Sequence, residues 1–425
     1  MTVWAVQGAA GFGKTYRLLQ RVREQLQLYP LAAGQRVLAL TFMHGARQRL
    51  DQKLRGLPEL HGKYQCLTVD GFARSLRWRW RSLSKAMRQP PTDSVTFDEQ
   101  CALAAHLVDK TVVGTWLATG YPCILLDEAQ DLDPNRLSFV QALSAWSHLL
   151  IAFDDFQCLN QEMRPSPASL WLPTHCQPEE LAKPQRCHVP ALLDAAAALR
   201  SGLAPVEGKG FKIAECDSAG QAAALLASTI HYARLKNSKH SVAVITPARK
   251  GGYAEEIVEA VSSKACGTKK LGPFPIRWEG TESPLLEAVE KMSFAGEKAC
   301  GELVDDLLSA TQEGAARDGM VSWLRRQRDV SGREQIAYAE LLAHARRVLA
   351  VTRARTNRSD AGRRALTVHQ AKNREFDIVI VIWPYTVAQD DEGKRRLLYN
   401  AITRAKQQCT VIVQGAGSKL KPPFS

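Results

Sequence analysis

Thr2-Val3-Trp4-Ala5-Val6-Gln7-Gly8-Ala9-Ala10-Gly11-Phe12-Gly13-Lys14-Thr15 decides the fold. An apolar run passes into Gly-x4-Gly-Lys-Thr, and Thr15-Tyr16-Arg17-Leu18-Leu19 reads as the start of a helix. Strand, glycine-rich turn and helix in that order build a phosphate cradle. Gly8, Gly11 and Gly13 let the backbone curl until its N–H groups face phosphate oxygens at the helix N-terminus. Lys14 can reach the β and γ phosphates, and Thr15 can hold Mg2+. A chance glycine-rich turn lacks this flanking context.

A second signal lies at mid-chain. Cys123-Ile124-Leu125-Leu126 is apolar throughout and ends in Asp127-Glu128, the pattern of a buried parallel strand that delivers carboxylates at its C-terminal end. Adjacent acids are more often a solvated turn, but the all-apolar approach argues against one here. Asp127 would orient Mg2+ and its water, and Glu128 would position or deprotonate an attacking water.

With 425 residues the chain is too long for one ordinary core and suits about two to four domains. Hydrophobic residues make up 45% and charged residues 23%, as in globular proteins. No apolar run reaches the ~18 residues a membrane helix needs, and the start runs directly into a strand, leaving no room for a signal peptide. A cytoplasmic location is expected. The formal charge of +13 (56 basic, 43 acidic) fits a polyanionic partner, and equally a merely basic enzyme. The ten cysteines form no CxxC pair and read as free thiols; His175-Cys176 and Cys187-His188 match no usual zinc spacing.

With those motifs placed, the chain resembles the UvrD/Rep-like helicases of superfamily 1, from about Val3 to Gln414. Val37-Leu38-Ala39-Leu40-Thr41-Phe42 and Thr68-Val69-Asp70-Gly71-Phe72-Ala73 are similar to two DNA-contacting motifs of that family. Ala152-Phe153-Asp154-Asp155-Phe156-Gln157 looks like the motif whose glutamine senses the γ-phosphate. Pro184-Gln185-Arg186-Cys187 holds the place of the motif whose arginine reaches that phosphate. Leu366 to Asp377, with His369 and Glu375, and Tyr399 to Arg404 are similar to the last two motifs, the second ending in another arginine finger.

The resemblance implies an α/β fold of two RecA-like parallel-sheet motor domains with small, mainly helical insertions. The first would comprise 1–75 and 122–183, and the second 184–292 and 365–425. ATP would bind between them, with Lys14, Thr15, Asp127, Glu128 and Gln157 on one side and Arg186, Glu375 and Arg404 on the other. Arg17 would touch the nucleoside. Thr41, Phe42, Thr68, Asp70, Phe72 and His369 would contact nucleic acid.

Departures from the family pattern concern the base and the coupling. Only seven residues precede the phosphate loop, where relatives carry a glutamine motif for adenine, and Gln185 stands where they have a stacking tyrosine. Phe153 replaces a glycine, and Asn373-Arg374 replaces Gly-Leu. Poor discrimination of the base is expected.

Residues 76–121 read as a short helical insertion opening with Arg77-Trp78-Arg79-Trp80-Arg81 and interrupted by Pro90-Pro91. Trp78, Arg79 and Trp80 suit base stacking and phosphate contact; tryptophans anchoring a helix to a core suit the pattern equally. Residues 293–364 read as a second helical insertion, ending in Arg346, Arg347, Arg353, Arg355, Arg358, Arg363 and Arg364, which also suit a solvated helix face.

The resemblance implies an ATP-dependent translocase or helicase on single-stranded or tailed duplex DNA, of 3′-to-5′ direction. The alternative is an NTPase that senses nucleic acid and gates a partner such as a nuclease, in an antiphage or mobile-element setting. A metabolite kinase would leave the later motifs unexplained.

Overall fold

A computed structural model describes residues 2–42, 44–89, 97–249, 252–279, 284–311, 313–356, 363–415 and 417–425. Six strands build the first sheet: β1 (Val3–Gly8), β2 (Val37–Thr41), β3 (Tyr64–Thr68), β4 (Cys123–Asp127), β5 (His148–Phe153) and β6 (Glu179–Leu181). Their order across it is β3-β2-β4-β5-β1-β6, with every pairing parallel. Helices cover both faces of such a sheet, and so β2 and β4 are buried along their whole length, as their continuous apolar sequences require.

Further along, β7 (Phe211–Cys216), β8 (Val242–Thr246) and β9 (Arg277–Trp278) precede a helical segment containing the short antiparallel pair β10 (Glu297–Ala299) and β11 (Gln335–Ala337). After it come β12 (Arg364–Thr367), β13 (Phe376–Trp383) and β14 (Ala405–Gln414). They join the second sheet, again parallel, in the order β7-β14-β13-β8-β12-β9. The α/β fold of two parallel sheets is thus present.

Register sets the chemistry of the first sheet. Leu126 on β4 pairs with Ile151 on β5, and Val6 on β1 pairs with Ala152. The C-terminal ends of β4, β5 and β1 therefore lie side by side, with Asp154 emerging between the acidic pair and the glycine loop.

The helices Phe97–Val108 and Thr111–Gly120 do not stand apart from that sheet. Cys101, Ala104, Val108, Val113 and Leu117 share one core with Phe72, Leu76 and Phe139. The Pro90-Pro91 break lies outside the described residues. The later helical segment does have its own core, of Leu285, Val289, Leu303, Leu307, Leu324, Ile336 and Leu341. That core begins with the helix Pro284–Lys291, ahead of Ser293.

Among the arginines there, Arg346 and Arg347 are exposed on the helix Tyr338–Thr356. Arg364 instead pairs with Glu279 at 2.6 Å, and Arg363 donates to the Pro275 carbonyl at 3.1 Å, beside the second sheet. The side chains of Arg353, Arg355 and Arg358 lie outside the described residues.

All ten cysteines are free. Cys187 donates its S–H to the Lys406 carbonyl, and the His175 ring lies against Trp171. No group of three or more metal-ligating side chains occurs among the described residues. Nor, among them, is any helix long and apolar enough to cross a membrane.

Candidate active site at the junction of the two sheets

Gly11 and Gly13 adopt φ of +82° and +86°, the left-handed backbone that turns β1 into the helix Lys14–Leu28. Close approach also excludes a side chain at Gly13, where a Cβ would lie 2.9 Å from Gln185 Cγ. Lys14 Nζ donates to the carbonyls of Gly8 (2.9 Å) and Ala9 (3.2 Å), which fixes the ammonium inside its own loop. The Gly11 carbonyl accepts from the backbone N–H of both Gln185 (2.8 Å) and Arg186 (3.0 Å), binding the loop to the segment that leads into the second sheet.

The Thr15 hydroxyl donates to Asp127 Oδ2 at 2.9 Å. Burial, with Glu128 adjacent, pushes the Asp127 carboxyl up to about 6. Two hard oxygen donors in contact fit Mg2+, which takes one or two protein oxygens and completes its shell with water and phosphate. Glu128 sits at φ +63°, strained for a residue with a side chain, and Gln130 Nε2 donates to its Oε2 at 2.6 Å. Burial acts to raise its carboxyl, but Lys14, Lys372 and the Gln130 hydrogen bond outweigh that and hold it below the usual range.

The far wall comes from the later part of the chain. Arg186 Nε pairs with Glu375 at 2.9 Å, and Lys406 meets the other oxygen of Glu375 at 3.3 Å. Arg404 is buried; its Nη2 donates to Gln157 Oε1 at 3.4 Å and its Nε to the Asn400 carbonyl at 3.0 Å. Burial, with Arg186 near, draws its guanidinium down to about 10, so it stays charged at neutral pH. Asn373 takes φ +64°, a left-handed backbone that asparagine tolerates. Lys14, Thr15, Glu128, Gln157, Arg186, Glu375 and Arg404 all line one cavity of ≈ 440 Å³.

Residues 1–161 match the family described as AAA domain, and residues 363–412 match the UvrD-like helicase C-terminal domain. The C-terminal part of the chain is thus similar to UvrD-like helicases. No curated protein matches it in sequence. Among solved structures, the helicase nonstructural protein 10 of an arterivirus is similar at 12% identity and TM-score 0.42, covering 100% of this chain and 62% of that one. Its complex with DNA is similar at 12% identity and TM-score 0.38, covering 98% and 62%. The chain thus spans 62% of the length of these viral chains.

Several residues expected at a nucleic-acid surface are occupied otherwise. Phe72 is 2% exposed and packs between Tyr121 and Phe139 in the core, which removes it as a base contact. The Thr68 hydroxyl caps the helix Val69–Arg79 by accepting from the Gly71 N–H at 3.0 Å, and Thr41 is buried in β2. Asp70 holds Arg136 at 2.8 Å, and that guanidinium lies over the Phe42 ring.

The tryptophans divide. Trp80 packs against the core, edge-on to Trp116, whereas Trp78 is 43% exposed; Arg79 lies over the Trp116 ring. His369 is exposed on the short helix Val368–Ala371.

Arg17 does not reach the cavity. It pairs with Glu179 at 2.6 Å and Glu24 at 2.8 Å, over the Trp4 ring. Its neighbour Tyr16, 64% exposed, lines the cavity instead.

Sequence reasoning missed further groups. Asp154 contacts Arg200, Gln157 and Tyr399, Lys372 pairs with Asp131, and Arg396 pairs with Asp155 at 3.0 Å. Arg49 lies near Glu128, drawn down to about 10 by burial and Arg374. Asp154 carried a signal, since Leu149-Leu150-Ile151-Ala152-Phe153 ends in an acid as β4 does.

Proposed function

We propose that this protein hydrolyses ATP with Mg2+ and uses the energy to move along single-stranded DNA, opening tailed duplex in the 3′-to-5′ direction. The observation that carries the reading is the cavity where Lys14, Thr15 and Glu128 of the first sheet's end meet Arg186 and Arg404 beside the second, with Asp127 held behind Thr15. Residues 1–75 and 122–183 form the first motor domain on this reading, and 184–292 and 365–425 the second. Residues 76–121 and 293–364 are their helical insertions, and the setting is cytoplasmic.

The chain's own groups divide the work. Backbone N–H groups of Gly13, Lys14 and Thr15 and the Lys14 ammonium bind the phosphates. Thr15 and Asp127 would hold Mg2+, which would neutralise charge on the phosphate oxygens. Glu128, held ionised by Lys14 and Lys372, accepts a proton from the attacking water. Arg186 and Arg404 stabilise charge that develops on the transferred group.

Coupling follows from where Arg404 ends. Its contact with Gln157 joins the γ-phosphate sensor to the second sheet, and Lys372–Asp131 and Arg396–Asp155 span the same junction. Loss of the γ-phosphate releases these clasps and lets the halves separate, which is one step along the strand. The 3′-to-5′ direction rests on the likeness of Asp127-Glu128-Ala129-Gln130-Asp131, Lys372 and Thr68 to Ala73 to that branch.

One observation favours the second reading. Residues 97–120 are absorbed into the first core, which leaves little apparatus for splitting a duplex. On that reading the protein is an NTPase that senses nucleic acid and gates a partner such as a nuclease. ATP turnover with and without single-stranded DNA, beside unwinding of a tailed duplex, tests both. DNA-stimulated turnover with unwinding supports the motor, stimulation without unwinding supports the gate, and turnover indifferent to any nucleic acid contradicts both.

A further inference from the structure

We infer that Arg200 is a positioning residue for nucleotide binding: by neutralising the buried carboxylate of Asp154, it leaves the Lys14 ammonium available to phosphate. This rests on the nucleotide reading above and adds a residue that no motif contains.

Asp154 follows β5 and is 0% exposed. Arg200 Nη1 donates to its Oδ1 at 2.6 Å from the end of the helix Pro190–Arg200. Gln157 Nε2 donates to Oδ2 at 2.8 Å, and the Tyr399 hydroxyl reaches the same oxygen at 3.3 Å. Lys14 Nζ is 3.7 Å from Oδ2, beyond hydrogen-bond reach but close in charge. The Tyr399 oxygen in turn accepts from the Ala10 N–H of the phosphate loop at 2.7 Å and from Arg200 at 3.2 Å.

These contacts define a competition. A buried carboxylate needs a cation, and two are in range. Arg200 holds the short contact, and Lys14 rests on the carbonyls of Gly8 and Ala9 at the wall of the cavity. Burial alone would raise the Asp154 carboxyl, but Lys14 and Arg200 together hold it below the usual range, and it stays ionised. Removing Arg200 leaves Lys14 as its nearest cation. The ammonium is then drawn toward Oδ2, and phosphate must compete for it.

The arrangement also serves the junction. Arg200 lies over the rings of Phe156 and Tyr399, at 5.4 and 5.5 Å, and those rings meet edge to face at 5.0 Å. The guanidinium thereby joins Asp154 to Tyr399 of the helix Asp391–Ile402, whose hydroxyl in turn holds the phosphate loop at Ala10.

The test measures affinity for fluorescently labelled ATP with Mg2+, and melting temperature, on four forms of the full chain. Wild type binds; Arg200→Ala binds at least about tenfold more weakly; and Arg200→Ala combined with Asp154→Asn returns to within about threefold of wild type, because the carboxylate that captures Lys14 is gone. Asp154→Asn alone stays within about threefold, so the prediction holds even where Arg200→Ala fails to fold. A merely structural Arg200 predicts no such rescue. Arg200→Ala binding like wild type, a double variant as weak as the single one, or tenfold loss in Asp154→Asn each overturns the inference while leaving the nucleotide reading intact. Wild-type protein that binds no labelled ATP overturns both.

Discussion

The nucleotide cavity and the surface expected to meet nucleic acid differ in how their residues are used. In the cavity, Lys14, Thr15, Glu128, Gln157, Arg186, Glu375 and Arg404 come from distant parts of the sequence and line one space. On the other surface, Phe72 is core, Thr68 is a helix cap and Thr41 is buried, while Trp78, Arg79 and His369 remain exposed. Phosphate chemistry demands a fixed backbone and particular charges, so its residues have little freedom to be anything else. A strand contact needs only an exposed ring or cation, which other positions can supply.

The largest expected effect sharpens the cavity side. Glu128→Gln removes the water-orienting carboxylate and keeps Asp127, so ATP should still bind while turnover falls by orders of magnitude. Steady-state hydrolysis beside nucleotide binding checks it, and near-normal turnover would move the base elsewhere.

On the other side, Phe72→Ala should lower stability by about 3–5 kcal/mol in denaturant unfolding, with DNA affinity lost only as the fold is lost. Trp80→Ala should follow it in direction. Trp78→Ala should instead leave the melting temperature nearly unchanged and weaken single-strand binding by about 1–3 kcal/mol. Equal destabilisation by Trp78→Ala and Trp80→Ala would break the distinction between them.

The smallest effect concerns the base. With Gln185 in place of a stacking ring and Arg17 tied to Glu179 and Glu24, GTP should support turnover within about tenfold of ATP, the factor that ~1.4 kcal/mol represents. Competition kinetics with the two nucleotides measures it, and a much larger preference would identify a residue that reads adenine.

Much of this was legible in the sequence. Strands β1 and β4 announce themselves as apolar runs ending in functional groups, and β5 ends the same way at Asp154. Phe72 was legible too: Val69, Phe72, Ala73 and Leu76 recur at helical spacing, and that stripe marks the buried face more strongly than the motif marks a contact. Tyr16 and Arg17 are adjacent, and only the rotation of the helix decides which faces the cavity. Arg200 had no local signal. Its helix is largely alanine and leucine, and its partner is separated from it by the entire segment from Asp155 to Leu199.

The central claim is that two halves complete one catalytic site, and Arg404 tests it most directly. Single-turnover hydrolysis of pre-bound ATP, in the presence of single-stranded DNA, should slow by about a thousandfold or more in Arg404→Ala, with nucleotide affinity changed far less. Hydrolysis at the wild-type rate in that variant would contradict the account.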